Sequence, residues 1–135
     1  METGRRAVSA LHHIELWVPD LAATRRSWGW LLGQLGWELD EFGPTSFALS
    51  HEDVYLFVEQ SPAQLGHRHD RLAPGVNHLA FHAGPRERLD ELVAAAPAYG
   101  WTLLFPDRHP YAGGPEHYAA YLEDTDRYEV ELVAG

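Results

Sequence analysis

The chain has 135 residues, 45% of them hydrophobic and five of them Trp, enough apolar volume for one compact domain over 1–135 without a second. Twenty acidic residues against ten basic ones give a formal charge of −10, which repels a phosphate backbone and argues against nucleic acid as a partner. With no Cys, disulfides and thiolate metal sites are excluded, so any bound ion must rest on His, Asp, Glu or water, and nine His is a high number for this length.

No run approaches the eighteen or more apolar residues of a membrane span. Arg5 and Arg6 near the start lead into Ala7-Val8-Ser9-Ala10 and two histidines rather than an apolar signal core, so the expected setting is the cytoplasm, away from membranes.

In chain order, 11–18 alternates His13, Glu15 and Trp17 with Ile14, Leu16 and Val18, the period-two pattern of a half-buried strand. Asp20 follows as an N-cap, and Trp28, Leu31, Leu32 and Leu35 lie at i, i+3, i+4 and i+7, the apolar stripe of a helix ending near Gly36. Runs 46–49 and 54–60 read as further strands. The stretch 61–75, rich in Pro, Gly, His and Arg, reads as a linker. Within it His67 and His69 form a His-x-His pair that is open to two readings, a metal-binding pair or solvated loop residues.

The order then recurs. A strand over 76–82 leads to a helix begun by Pro85, whose stripe is Leu89, Leu92, Val93 and Ala96 before Pro97. Strand-like runs follow at 102–105, 118–123 and 128–133. Gly36-Trp37 and Gly100-Trp101 are 64 apart (100 − 36), and His13 and His78 are 65 apart (78 − 13), a nearly constant offset that marks an internal repeat. The expectation is an α+β fold of two βαβββ modules, about 8–65 and 70–135, with curved mixed sheets forming a shared concave cavity. One helix per module covers the convex face.

Alternation puts His13 and His78 on the face away from the helices. In 54–60 it sets Tyr55, Phe57 and Glu59 opposite Val54, Leu56 and Val58, and in 128–133 it sets Glu129 and Glu131 opposite Val130 and Leu132. If the modules face one another about a pseudo-twofold axis, His13, Glu59, His78 and Glu131 converge, a donor set suited to a hard-to-borderline divalent ion with open positions. A lone His on a strand is more often an exposed or satisfied residue. The paired placement of two His and two Glu is what favours a site. A slip of one residue would put Gln60 in place of Glu59.

His13-x-x-x-x-Val18-Pro19-Asp20-Leu21 and the helix into Leu35-Gly36-Trp37 resemble the opening of glyoxalase I and its relatives in the vicinal oxygen chelate superfamily, which includes bleomycin resistance proteins and extradiol dioxygenases. Phe57-Val58-Glu59, Asn77-His78-Leu79-Ala80-Phe81 and the closing Glu123-Asp124-Thr125-Asp126-Arg127-Tyr128-Glu129-Val130-Glu131 resemble the later motifs, with Arg127 where the family usually has Gly. The resemblance implies His13, Glu59, His78 and Glu131 as ligands of a divalent metal (Ni, Zn, Co, Mn or Fe), a small-molecule substrate and a homodimer. It also implies lyase or isomerase chemistry in which Glu131 or Glu59 moves a proton. The alternatives are an Fe(II) dioxygenase centred on His13, His78 and Glu131, and a metal-free antibiotic-binding protein. Glyoxalase I-like enzymes carry an anchoring Arg four residues after the first ligand, where this chain has Trp17, which argues against glutathione. Trp17, Tyr55, Phe57, His82, Tyr111 and Tyr118 are the expected substrate-binding groups, with simple packing the other reading of Trp17.

Overall fold

The computed structural model describes residues 8–66 and 68–135. Arg5, Arg6 and His67 lie outside the described residues, so the His-x-His reading bears only on His69. The first module runs β1 (His13–Trp17), α1 (Leu21–Gln34), β2 (Glu38–Glu41), β3 (Ser46–His51) and β4 (Val54–Glu59). The second runs β5 (His78–Gly84), α2 (Arg86–Ala95), a 3-10 turn (Ala96–Tyr99), β6 (Thr102–Leu103), β7 (Ala119–Glu123) and β8 (Glu129–Ala134). Each module makes one four-stranded mixed sheet, ordered β1-β4-β3-β2 and β5-β8-β7-β6, with the β1/β4 and β5/β8 pairs parallel and the rest antiparallel. The α+β architecture of two βαβββ modules is therefore the one expected.

Capping sets where α1 begins. The Asp20 carboxylate accepts from Ala23 N at 3.1 Å, and the Gln60 side-chain oxygen accepts from Leu21 N at 2.8 Å, so two of the orphan amides of the first turn are satisfied. Gln60 is thereby committed to the helix, and β4 ends at Glu59 with that side chain on the other face. Trp28, Leu31 and Leu32 are buried, as their stripe requires. The helices give way to Gly36 and Gly100, both at φ +93°. That left-handed conformation is why a Gly precedes each Trp in the repeat.

The β2 strand was not among the strand-like runs of the sequence. Its residues, Glu-Leu-Asp-Glu, hold a single apolar side chain because it is an edge strand, paired only with β3 and largely exposed. Leu39 alone anchors it. A Cβ at Gly29 of α1 would stand 3.3 Å from Leu39 Cδ1, so helix and edge strand meet closely where Gly permits it.

One core joins the two modules. On the helix side, Leu56 and Val58 of β4 pack with Leu89 and Leu92 of α2 and with Val130 and Leu132 of β8 in a single buried cluster. Trp28 of α1 lies edge-on to Phe81 of β5 and tilted against Trp101. Polar contacts fasten the same seam: Trp101 Nε1 donates to Ser27 O at 3.0 Å, and Trp28 Nε1 donates to Asp124 Oδ2 at 2.9 Å. Asp124 Oδ1 in turn accepts from Asp126 N and Tyr128 N, each at 2.9 Å, so one buried carboxylate builds the turn before β8 and ties it to the other module. Burial pushes the Asp124 carboxyl above its ordinary value, against the pull of those hydrogen bonds. Arg127 of this turn has φ +72°, the left-handed conformation that favours Gly.

Candidate functional site

Residues of β1 and β5, which belong to different sheets, together line cavities in the described part of the chain. One cavity of about 490 Å³ is lined by Ile14, Glu15, Trp17, Trp28, His78 and Tyr128 among others. The other, about 680 Å³, includes Trp37, His51, Phe81 and His82.

The side chains away from the helices follow the expected alternation. In the first module the register His13↔Tyr55, Glu15↔Phe57 and Trp17↔Glu59 sets six of them in three cross-strand pairs. His13 stacks on Tyr55 at 4.9 Å between centroids, and its Nδ1 lies 2.9 Å from His12 Nδ1, a distance at which one ring donates and the other accepts. Trp17 Nε1 donates to Glu15 Oε2 at 2.6 Å, and Phe57 meets Phe42 edge-on.

The second module holds a tight polar cluster around Glu131. Glu131 is buried on β8 between β5 and β7, with Ala80 and Tyr121 as its cross-strand neighbours. Because Ala80 is small, His78 reaches past it, and its Nε2 stands 3.0 Å from Glu131 Oε1. The His78 Nδ1 is 2.7 Å from Asn77 Oδ1 and 3.8 Å from Glu129 Oε2. The other Glu131 oxygen meets His117 Nε2. Tyr121 completes the surroundings, its phenol held above the ordinary value by burial and then by the Glu131 charge. Below this cluster Arg71, from the inter-module stretch, binds Glu123 at 2.7 Å and approaches Glu129 at 3.6 Å. Burial raises the Glu129 carboxyl, opposed by His78 and Arg71. The stretch 61–75 is thus loop, as read, but docked: Arg71 is largely buried and His69 stacks on Tyr128 at 4.0 Å.

Of the four expected ligands, His78 and Glu131 come together, while His13 stacks on Tyr55 and Glu59 stands opposite Trp17 in the other sheet, and neither is gathered with that pair among the described residues. Two donors each about 2.1 Å from one ion at a right angle lie about 3.0 Å apart, which is the His78 to Glu131 separation. Those two groups fit an ion in kind and in spacing. Among the described residues, no group of three or more His, Asp or Glu is gathered so as to hold one.

His82 lines the second groove, apart from His78. Tyr118 lies on the helix side instead of the cavity wall: its hydroxyl donates to Asp90 of α2 at 2.7 Å, Arg86 lies over its ring, and Tyr111 packs edge-on against it. The reason is parity, since Tyr118 and Tyr121 are an odd number apart and strand alternation puts them on opposite faces. The same rule could have found Tyr121. His117 stands beside Gly113-Gly114 in a stretch with no strand or helix period, and its place against Glu131 depends on how that loop folds.

The chain matches the family model of the Glyoxalase/Bleomycin resistance protein/Dioxygenase superfamily over residues 12–121. It is 42% identical over 125 residues to the uncharacterized protein YqjT of Bacillus subtilis (strain 168), covering 92% of this chain and 98% of that one. A crystal structure of a glyoxalase candidate from Bacillus halodurans superposes with a TM-score of 0.88 at 41% identity, over 94% of this chain and 96% of the other. A glyoxalase/bleomycin resistance protein from Albidiferax ferrireducens T118 shares the fold, with a TM-score of 0.74 at 22% identity over 94% and 99% of the two chains.

Proposed function

Since the chain belongs to the glyoxalase, bleomycin resistance protein and dioxygenase superfamily, we propose that it is a small-molecule metalloenzyme that acts on a substrate with neighbouring oxygens at the face shared by His13, Glu59, His78 and Glu131. The observation that carries this reading is the approach of His78 Nε2 to Glu131 Oε1, at the spacing of two ligands of one ion. His78 and Glu131 would hold the ion, with His13 and Glu59 as the further ligands from the first module. The ion would act as a Lewis acid on a substrate oxygen. The chain itself supplies the rest: a carboxylate, Glu59 or the Glu131 oxygen that meets His117, moves the proton from the neighbouring carbon. Trp17, Tyr55 and Phe57 offer flat apolar contact to a ligand. The same reading places the protein in the cytoplasm as a homodimer. Fe(II) dioxygenase chemistry would use His13, His78 and Glu131.

The test is ion titration by calorimetry with zinc, nickel, cobalt and iron(II), beside elemental analysis of the purified protein. A single ion per chain should bind, with affinity reduced about 10- to 100-fold or more in His78→Ala and Glu131→Gln and unchanged in His69→Ala. Equal loss in all three variants, or no binding at micromolar ion, would overturn the reading. A metal-free ligand-binding protein is the second reading, favoured by the apolar 490 Å³ groove with Trp17 and Trp28 in its wall. Quenching of Trp fluorescence by a cationic aromatic drug in chelator-treated protein would support it.

A further inference from the structure

Asn77 is the last residue before β5, and its side chain has both ends occupied. Its Nδ2 donates to the Arg71 carbonyl at 2.9 Å, while its Oδ1 lies 2.7 Å from His78 Nδ1. The first contact decides the second. If the amide were turned over, its oxygen would face the Arg71 carbonyl oxygen and its NH2 would face the imidazole, exchanging a hydrogen bond for a repulsion. That carbonyl belongs to a residue pinned by its own guanidinium to Glu123 at 2.7 Å and Glu129 at 3.6 Å, so the amide has a fixed reference. An amide oxygen only accepts, hence the hydrogen between Asn77 and His78 sits on Nδ1 of the ring.

We propose that Asn77 is a positioning residue that keeps the hydrogen of His78 on Nδ1, so that Nε2 is the nitrogen presented to Glu131 and to an electrophile bound beside it. A free histidine side chain in water favours the opposite tautomer, with hydrogen on Nε2. In that form His78 would simply donate to Glu131 and offer no lone pair there; with the hydrogen on Nδ1, Nε2 and Glu131 Oε1 are two acceptors 3.0 Å apart, a contact that calls for a proton or a cation between them. The hydrogen bond from Nδ1 also stops the ring turning about its Cβ–Cγ bond, the usual role of the outer partner of a ligating His. The linker between modules therefore reaches the candidate centre along the path Glu123, Arg71, Asn77, His78, Glu131, beside the weaker approach of Arg71 to Glu129. What the Nε2 lone pair serves rests on the metal reading above; the location of the hydrogen does not.

Two variants separate the two ends of the amide. Asn77→Ala removes both bonds. Asn77→Asp keeps an acceptor for Nδ1 but loses the donor to Arg71. Long-range 15N–1H spectra of the metal-free protein at neutral pH should show a protonated Nδ1 on His78 in the wild type and in Asn77→Asp, and an unprotonated one in Asn77→Ala. Zinc affinity should fall about 10- to 100-fold in Asn77→Ala and stay near the wild-type value in Asn77→Asp. An unprotonated Nδ1 in the wild type overturns the proposal, as does an Asn77→Asp variant that behaves like Asn77→Ala, the pattern expected if Asn77 only shapes the loop. Unchanged zinc affinity in Asn77→Ala overturns it too. If the spectra come out as expected and the wild type binds no ion, Asn77 keeps its role and the metal reading fails.

Discussion

The Trp28–Asp124 hydrogen bond is a cross-module clasp whose energy can be isolated by a double-mutant cycle. Asp124 is 5% exposed, with Oδ1 taken by the amides of Asp126 and Tyr128 and Oδ2 by the indole of Trp28. In Asp124→Asn the two backbone amides claim the single oxygen, so the new NH2 group is forced against the indole N–H. That removes a hydrogen bond to a charged acceptor, about 1.5 to 3 kcal/mol, and leaves a buried donor unpaired at about 1 to 3 kcal/mol. Part is offset because a carboxylate whose burial is unfavourable has been neutralised. The expected net loss is about 2 to 4 kcal/mol, or roughly 6 to 14 °C in thermal midpoint for a chain of this size. Trp28→Phe should cost a similar amount, partly from lost volume. In the double variant the unpaired indole N–H and the unpaired carboxylate oxygen are both gone and only the Asn NH2 lacks a partner, so the two losses should fall short of additive by about 1.5 to 3 kcal/mol. Urea denaturation followed by far-UV circular dichroism measures this without relying on Trp fluorescence. Additivity within about 0.5 kcal/mol would show that this bond contributes nothing to holding the modules together.

Burial pushes the Tyr128 phenol up to about 12, while its unfolded counterpart ionises near 10. Stability tied to this group is therefore complete below pH 10 and lost as pH rises from 10 toward 12, up to about 2 to 3 kcal/mol; the wild-type advantage over Tyr128→Phe should shrink between pH 9 and 11.5, and a constant difference would refute this. A Cβ at Gly113 would collide with Tyr121 Oη and stand 2.8 Å from His117 Cδ2, so Gly113→Ala should lower stability by about 1 to 3 kcal/mol and displace both rings from Glu131, visible as shifted His117 resonances. Gly33, in α1 with open space around it, is the contrast: Gly33→Ala should raise stability by about 0.5 to 1 kcal/mol, measured in the same melts. Turnover of the hemithioacetal of methylglyoxal and glutathione should be poor, because the position of the anchoring Arg holds Trp17, whose indole is bonded to the Glu15 carboxylate; robust turnover at micromolar substrate, followed by ultraviolet absorbance, would contradict it.

The sequence alone determined the modules and the facing of their side chains, because both are properties of local period. Strand alternation puts His13, Glu59, His78 and Glu131 opposite the apolar residues whatever the tertiary fold, and the helix stripes and Gly-Trp stops repeat at a nearly constant offset. Periodicity was silent where burial is slight, which is why β2, with only Leu39 to bury, left no trace. Tyr118 was legible in principle and misjudged, since parity with Glu131 across the β7/β8 register assigns the site to Tyr121.

Contact was decided by tertiary structure alone. That Ala80 leaves room for His78 to reach Glu131 depends on the β5/β8 register, and that His117 closes on the other oxygen depends on the path of a loop with no period. The Gln60 amide sits on α1 because β4 ends beside the helix start, a meeting of segments 39 residues apart. Trp28 finding Asp124 across 96 residues is the same kind of fact: hydrogen bonds between distant segments carry no signature in either segment until the chain has brought them together.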